Sequence, residues 1–208
     1  MDGSDKGSAR TRLMRELGAG RPQHVVTYGT SLTEAGAWVG QLREALEQRY
    51  PGLVTVTNSG SSGMWSGWGV ENLDARVIGL HPDAVFIEFA INDAYVPYKT
   101  SVEQARANLE QMIDRIGAAD GTTEIILMTM NPPINEHLEI RPEIERYYQM
   151  YREVAAERGL LLIDHYPNWV KVLREDKGVF DQYVPDGIHP GPVGCERVIT
   201  PGILAAIE

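Results

Sequence analysis

Asp186 and His189 stand three residues apart in Asp186-Gly187-Ile188-His189-Pro190. A chain that bends at the glycine can bring the carboxylate to one imidazole nitrogen and leave the other facing outward to take a proton from a hydroxyl. Ser31 is a hydroxyl suited to that base. It lies in Gly29-Thr30-Ser31-Leu32-Thr33, where Gly29 allows a tight turn and Ser31 falls at the mouth of a following helix. Backbone N–H groups there favour negative charge, which suits a serine whose attack creates an oxyanion. Two further places could hold that oxyanion. Gly60, in Asn58-Ser59-Gly60, permits close approach to the backbone and offers an N–H. Asn92, in Ala90-Ile91-Asn92-Asp93, carries an amide that donates hydrogen bonds. Each place also has a plainer use when taken alone: a helix cap at Ser31 or Thr33, a flexible loop at Gly60, an Asx turn at Asn92, a surface turn at Asp186 to Pro190.

These residues need a frame that gathers them. Short β-branched runs alternate with longer amphipathic stretches along the chain. Strands are expected at 24–28, 53–57, 84–89, 124–129 and 160–163, the third apolar enough to be buried on both faces. Helices are expected at 36–49, 70–79, 102–116, 142–158 (closed by Gly159), 168–175 and 193–207, with an irregular segment ahead of the last. The alternation predicts a three-layer α/β/α sandwich around a flavodoxin-like, parallel five-stranded sheet of order 2-1-3-4-5. In such sheets reactive groups gather at the carboxyl ends of the strands, where Ser31, Gly60 and Asn92 fall. Residues 1–20 are expected to be a flexible or partly helical lead, disordered over 1–10, and residues 21–208 a single domain.

In this order, from Gly29 to His189, the four segments resemble the blocks of the SGNH (GDSL-like) hydrolase superfamily. That family has a Gly-Asp-Ser block, a block glycine, a Gly-x-Asn-Asp block and an Asp-x-x-His block. Two positions depart from it: Thr30 replaces the usual Asp, and Ala90 the glycine before Ile91. The resemblance implies a Ser31–His189–Asp186 triad. It implies an oxyanion hole from the Ser31 and Gly60 N–H groups and the Asn92 amide. It also implies ester hydrolysis through an acyl-enzyme without metal or cofactor.

Other chemistries lack their residues. There is no Gly-x-Ser-x-Gly elbow, and no His-Glu-x-x-His set among His24, His81, His137, His165 and His189. Asp164-His165 is a rival acid–base pair, but neighbours in extended chain point oppositely. Gly67-Trp68-Gly69 is a poor dinucleotide fingerprint, because Asn72 occupies the third glycine position. A formal net charge of -10 across 208 residues disfavours nucleic acid and strongly anionic substrates, unless a local basic pocket overrides it. No stretch is long and apolar enough to span a membrane. Cys195 is the single cysteine, so no internal disulfide forms. The polar N-terminus fits the cytoplasm at face value, and removal of a leader would make the protein secreted. Trp65, Trp68, Tyr95 and Tyr98 lie in the loops beside Gly60 and Asn92 and could form a stacking platform for a sugar ring. The expected substrate is a small or carbohydrate ester, with a carbohydrate O-acetylesterase or other short-chain esterase first. A lysophospholipase, lipase-type or aryl esterase is the alternative, as is an acyltransferase on the same triad; a non-catalytic binding module ranks behind both.

Overall fold

Five of the apolar runs become strands: Gln23–Gly29 (β1), Val54–Asn58 (β2), Ala84–Glu88 (β3), Glu124–Thr129 (β4) and Leu161–Asp164 (β5). The structure is a computed structural model that describes residues 11–208, so the lead-in expected at 1–10 lies outside the described residues. The strands form one sheet of order β2-β1-β3-β4-β5, parallel at every pairing. Every residue of β3 is buried, Glu88 included, and the apolar run 84–87 suits a central strand.

From β1 the chain first runs outward to β2, then reverses across the sheet to β3, β4 and β5. Right-handed crossovers therefore put the first helix on one face and the later ones on the other. Ala37–Arg49 contacts β2 and Thr200–Ile207, while Ser66–Arg76, Val102–Ala119 and Ile144–Arg158 pack in series on the opposite side. The reversal falls between β1 and β3, the place where open α/β sheets carry their crevice. There the register sets Gly29 beside Glu88.

Within the lead expected to be flexible or partly helical, Arg12–Gly18 is a helix whose Leu13, Met14 and Leu17 are buried in the core. Its first free N–H groups, on Arg12 and Leu13, donate to the two carboxylate oxygens of Glu124 at 3.0 and 2.8 Å. Two later segments differ from the expectation. The segment expected to be irregular contains the helix Lys177–Tyr183, with the Asp176 carboxylate capping Val179 N–H at 3.1 Å and Phe180 edge-on to Trp169. The last helix is divided: Pro192–Gly194 passes through a wide π-type turn, Cys195–Ile199, into Thr200–Ile207. Pro201 stands where the joint needs no N–H. No helix among the described residues is long and apolar enough to cross a membrane.

Candidate active site

Ser31 opens the short helix Ser31–Glu34 directly after β1. Its Oγ lies 2.9 Å from Nε2 of His189, and Nδ1 of His189 lies 2.6 Å from Oδ2 of Asp186. The other Asp186 oxygen accepts the backbone N–H groups of His189 at 2.7 Å and Ile188 at 3.1 Å. Partial burial works to raise the Asp186 carboxyl, but these donors outweigh it and hold the pKa below the ordinary value. A charged Asp186 accepting from Nδ1–H leaves Nε2 with a lone pair for the serine proton. The hydroxyl, imidazole and carboxylate thus form a continuous relay between groups 158 residues apart in sequence.

The loop carrying Asp186 and His189 is pinned from below. Ile134 N–H donates to Gly187 O at 2.9 Å, and the buried Asn131 amide donates to Ile188 O at 3.0 Å. Gly187 has φ +83°, and a Cβ there would press on Ile134 at 3.1 Å.

The turn that carries Ser31 rests on Glu88, the last residue of β3, which is 2% exposed. Glu88 Oε1 accepts Thr30 N–H at 2.7 Å, Thr30 Oγ1–H at 3.0 Å and Thr33 Oγ1–H at 2.6 Å. Burial drives its pKa up to about 7, against the pull of these donors. The cluster explains Gly29, whose Cβ would come within 2.2 Å of Glu88 Oε1. Thr30 is thus tied by backbone and side chain to a carboxyl from the neighbouring strand.

Gly60 does not stand free. Its N–H donates to Asn58 Oδ1 at 3.0 Å, while the Asn58 amide donates to Thr33 O at 2.9 Å. A Cβ on Gly60 would strike Glu34 N at 2.5 Å, so this glycine lets β2's loop close on the serine turn. Three residues later Gly63 reaches the site itself, with φ +74°. Gly63 and Ser31 share a cavity of about 380 Å³ with Asn92 and His189. Neither the Ser31 nor the Gly63 N–H has an acceptor among the described residues. One Asn92 amide N–H is held by Met64 O at 2.9 Å, which leaves the second to the cavity.

Tyr95, Tyr98 and Arg141 form part of the cavity wall. Trp65 stands behind Tyr98, ring centroids 4.9 Å apart, and Tyr98 OH donates to Gly63 O. Trp68 is elsewhere: it packs on Tyr28 and under Arg76, against the core. The structure therefore brings Tyr95 and Tyr98 to the cavity, with Trp65 as support. Asp164 and His165 do not meet; Asp164 pairs with Arg152 at 2.8 Å, and His165 is buried with its pKa driven down to about 4 by burial. A larger cleft of about 570 Å³ lies along Val102–Ala119 and Ile144–Arg158, but it is lined by paired charges and holds no serine.

Gly63, Glu88, Asn131 and Arg141 were not singled out from sequence. Only Glu88 left a trace there, a lone acid inside the apolar run Ala84 to Phe89. The other three acquire their places from loop geometry.

A model of the GDSL-like lipase/acylhydrolase family matches residues 26–197. The rat isoamyl acetate-hydrolyzing esterase 1 homolog is 24% identical over 194 residues, covering 83% of this chain and 76% of the relative. Among solved structures, an acetylxylan esterase from Geobacillus stearothermophilus superposes with TM-score 0.78 at 22% identity, covering 90% of this chain and 95% of that one. The lipase/acylhydrolase of Enterococcus faecalis does so with TM-score 0.75 at 27% identity, covering 89% and 95%.

Proposed function

The chain belongs to the GDSL-like lipase/acylhydrolase family and is a carboxylic ester hydrolase, and we propose that it works through a Ser31–His189–Asp186 triad on acetyl or other short-chain esters of carbohydrate or small alcohols. One observation carries this reading: the unbroken hydrogen-bond relay from Ser31 Oγ through the imidazole to Asp186.

His189 Nε2 takes the Ser31 proton as Oγ bonds to the ester carbonyl carbon. The carbonyl oxygen becomes an anion facing the two N–H groups left without acceptors, on Ser31 and Gly63, and the second Asn92 amide N–H. Gly63 replaces Gly60 in this role, because Asn58 already occupies the Gly60 N–H. The imidazolium returns its proton to the departing alcohol oxygen, and the C–O bond breaks to leave an acyl-enzyme. Water deprotonated by His189 then attacks the acyl carbon, and the acid leaves as the proton returns to Ser31 Oγ. Asp186 stays ionised and holds the imidazole in the tautomer that each step needs.

The short acyl group is supported by two similarities: the relatives are named for an acetate ester and the neighbour for acetylxylan. A sugar alcohol is supported by the edge-on Tyr95–Tyr98 pair at the cavity, centroids 4.9 Å apart, which offers a ring face for stacking. The test is acid release from acetylated xylooligosaccharides and 4-nitrophenyl acetate, set against 4-nitrophenyl decanoate, with Ser31→Ala as control. Turnover of the acetyl esters that disappears in the folded variant is expected. Faster turnover of the decanoate contradicts the short-chain assignment, and undiminished turnover by Ser31→Ala contradicts the nucleophile.

A further inference from the structure

Arg141 is 7% exposed and lines the cavity that holds Ser31 and His189. Its guanidinium is positive, and no carboxylate pairs with it among the described residues, in a chain with 29 acidic side chains. What does hold it is neutral. Nε donates to Ile91 O at 2.8 Å, while Nη1 and Nη2 lie 3.5 Å from His137 O and Asn92 Oδ1, at the outer edge of a hydrogen bond. Its carbon lies 4.9 Å from the centre of the Tyr95 ring. Burying a cation without a counter-ion is costly, and here burial pulls its pKa below the ordinary arginine value. The four N–H bonds of the two η nitrogens meet only two long contacts, so donor capacity remains at the wall of the cavity.

A planar fork with spare donors, fixed at Nε, matches a carboxylate in two-point fashion. Resting on the esterase reading, we propose that Arg141 receives a carboxylate on the substrate, so that the enzyme prefers acetate esters whose alcohol part is an acid, such as an O-acetylated sugar acid. The acidic surface then repels most anions, while this one buried cation admits the correct one at the reacting bond.

The matched probes are 4-acetoxybenzoate and its neutral amide, 4-acetoxybenzamide, with acetate release as the readout. Wild-type kcat/KM is expected to favour the acid by about tenfold or more, the scale of a charge-assisted pair. Benzoate should inhibit competitively and benzamide should not. In Arg141→Gln the acid-to-amide ratio should fall toward one. Arg141→Lys should restore part of it, since a point charge lacks the fork. Equal wild-type turnover of the two esters overturns the assignment. So does an Arg141→Gln loss equal for both, which leaves Arg141 as a brace for Asn92. Should neither variant fold, the wild-type ratio and the benzoate inhibition decide. Turnover of neither ester counts against the esterase reading itself, whereas turnover of both without preference counts only against the anion site.

Discussion

At the residue scale the site separates a hydrogen-bonded relay from the groups that hold it in place. Ser31, His189 and Asp186 form the relay, and each has only the partners the relay needs. Asn92 is placed by two contacts, its amide on Met64 O and its carbonyl facing Arg141. If its remaining N–H meets the oxyanion, Asn92→Ala should lower kcat by about 10²–10³ with a small change in KM. Steady-state kinetics on 4-nitrophenyl acetate check this, and an unchanged kcat removes Asn92 from the role. The relay was legible in the sequence because Asp-x-x-His and a serine after a strand are short local patterns. The second backbone donor proposed for the oxyanion, on Gly63, was not. Gly60 and Gly63 differ only in what their loop does: Asn58 folds back to take the first N–H, and a left-handed turn delivers the second. Nothing in the letters of that Gly/Ser-rich stretch distinguishes the two.

Elements matter here because the relay joins two ends of the chain. The His189 loop has no strand of its own to fix it; it hangs on the loop after β4 through Asn131 and Ile134. Asn131→Ala removes the donor to Ile188 O and leaves that buried carbonyl unpaired. A stability loss of about 1–3 kcal/mol is expected. A fall in kcat of about tenfold or more should accompany it, since small displacements of the proposed base, His189, are costly to the rate. Urea unfolding and kcat together test it; a variant that loses stability yet keeps full kcat shows that the loop holds its position without Asn131. The strands were readable to within a residue or two, since five apolar runs bounded by turn residues carry their own signal. The sequence predicts the helix Ser66–Arg76 only from 70 onward, because Gly67 and Gly69 suggest a loop. Packing decides otherwise: a Cβ on Gly69 would sit 3.0 Å from the ring of Phe89, the residue after β3, so the glycine lets the helix lie close against it. Lys177–Tyr183 carries little signal in the sequence because Phe180 is its one fully buried residue, with Tyr183 half-buried against Trp169.

At the scale of the molecule, two carboxyls among the described residues are buried beside the crevice: Glu88, and Asp93 with one oxygen accepting Ser66 N–H at 2.9 Å. Burial raises both to about 7, from ordinary values of 4.5 and 3.8. The folded state therefore binds protons that the unfolded chain has released, so their contribution to stability is full below the unfolded values and is lost as pH rises toward 7. His165 acts in the opposite direction: its low pKa favours the folded state less as pH falls below 6.5 toward about 4. Glu88→Gln isolates one part of this balance. Wild type should lose more stability than the variant between pH 5 and pH 8, measured by urea midpoints; identical pH dependence would mean that Glu88 titrates normally. The sheet order and the burial of β3 were legible from the alternation of runs, but the acid at the end of that strand acquires its meaning only beside Gly29. The central claim is that Ser31 is the nucleophile made reactive by this fold. The most direct test is to treat the folded protein with a fluorophosphonate and locate the adduct by peptide mass spectrometry. One phosphonyl group per chain on Ser31 is expected, absent from Ser31→Ala and strongly slowed in His189→Ala. An adduct elsewhere, or none on folded wild type, would contradict the account.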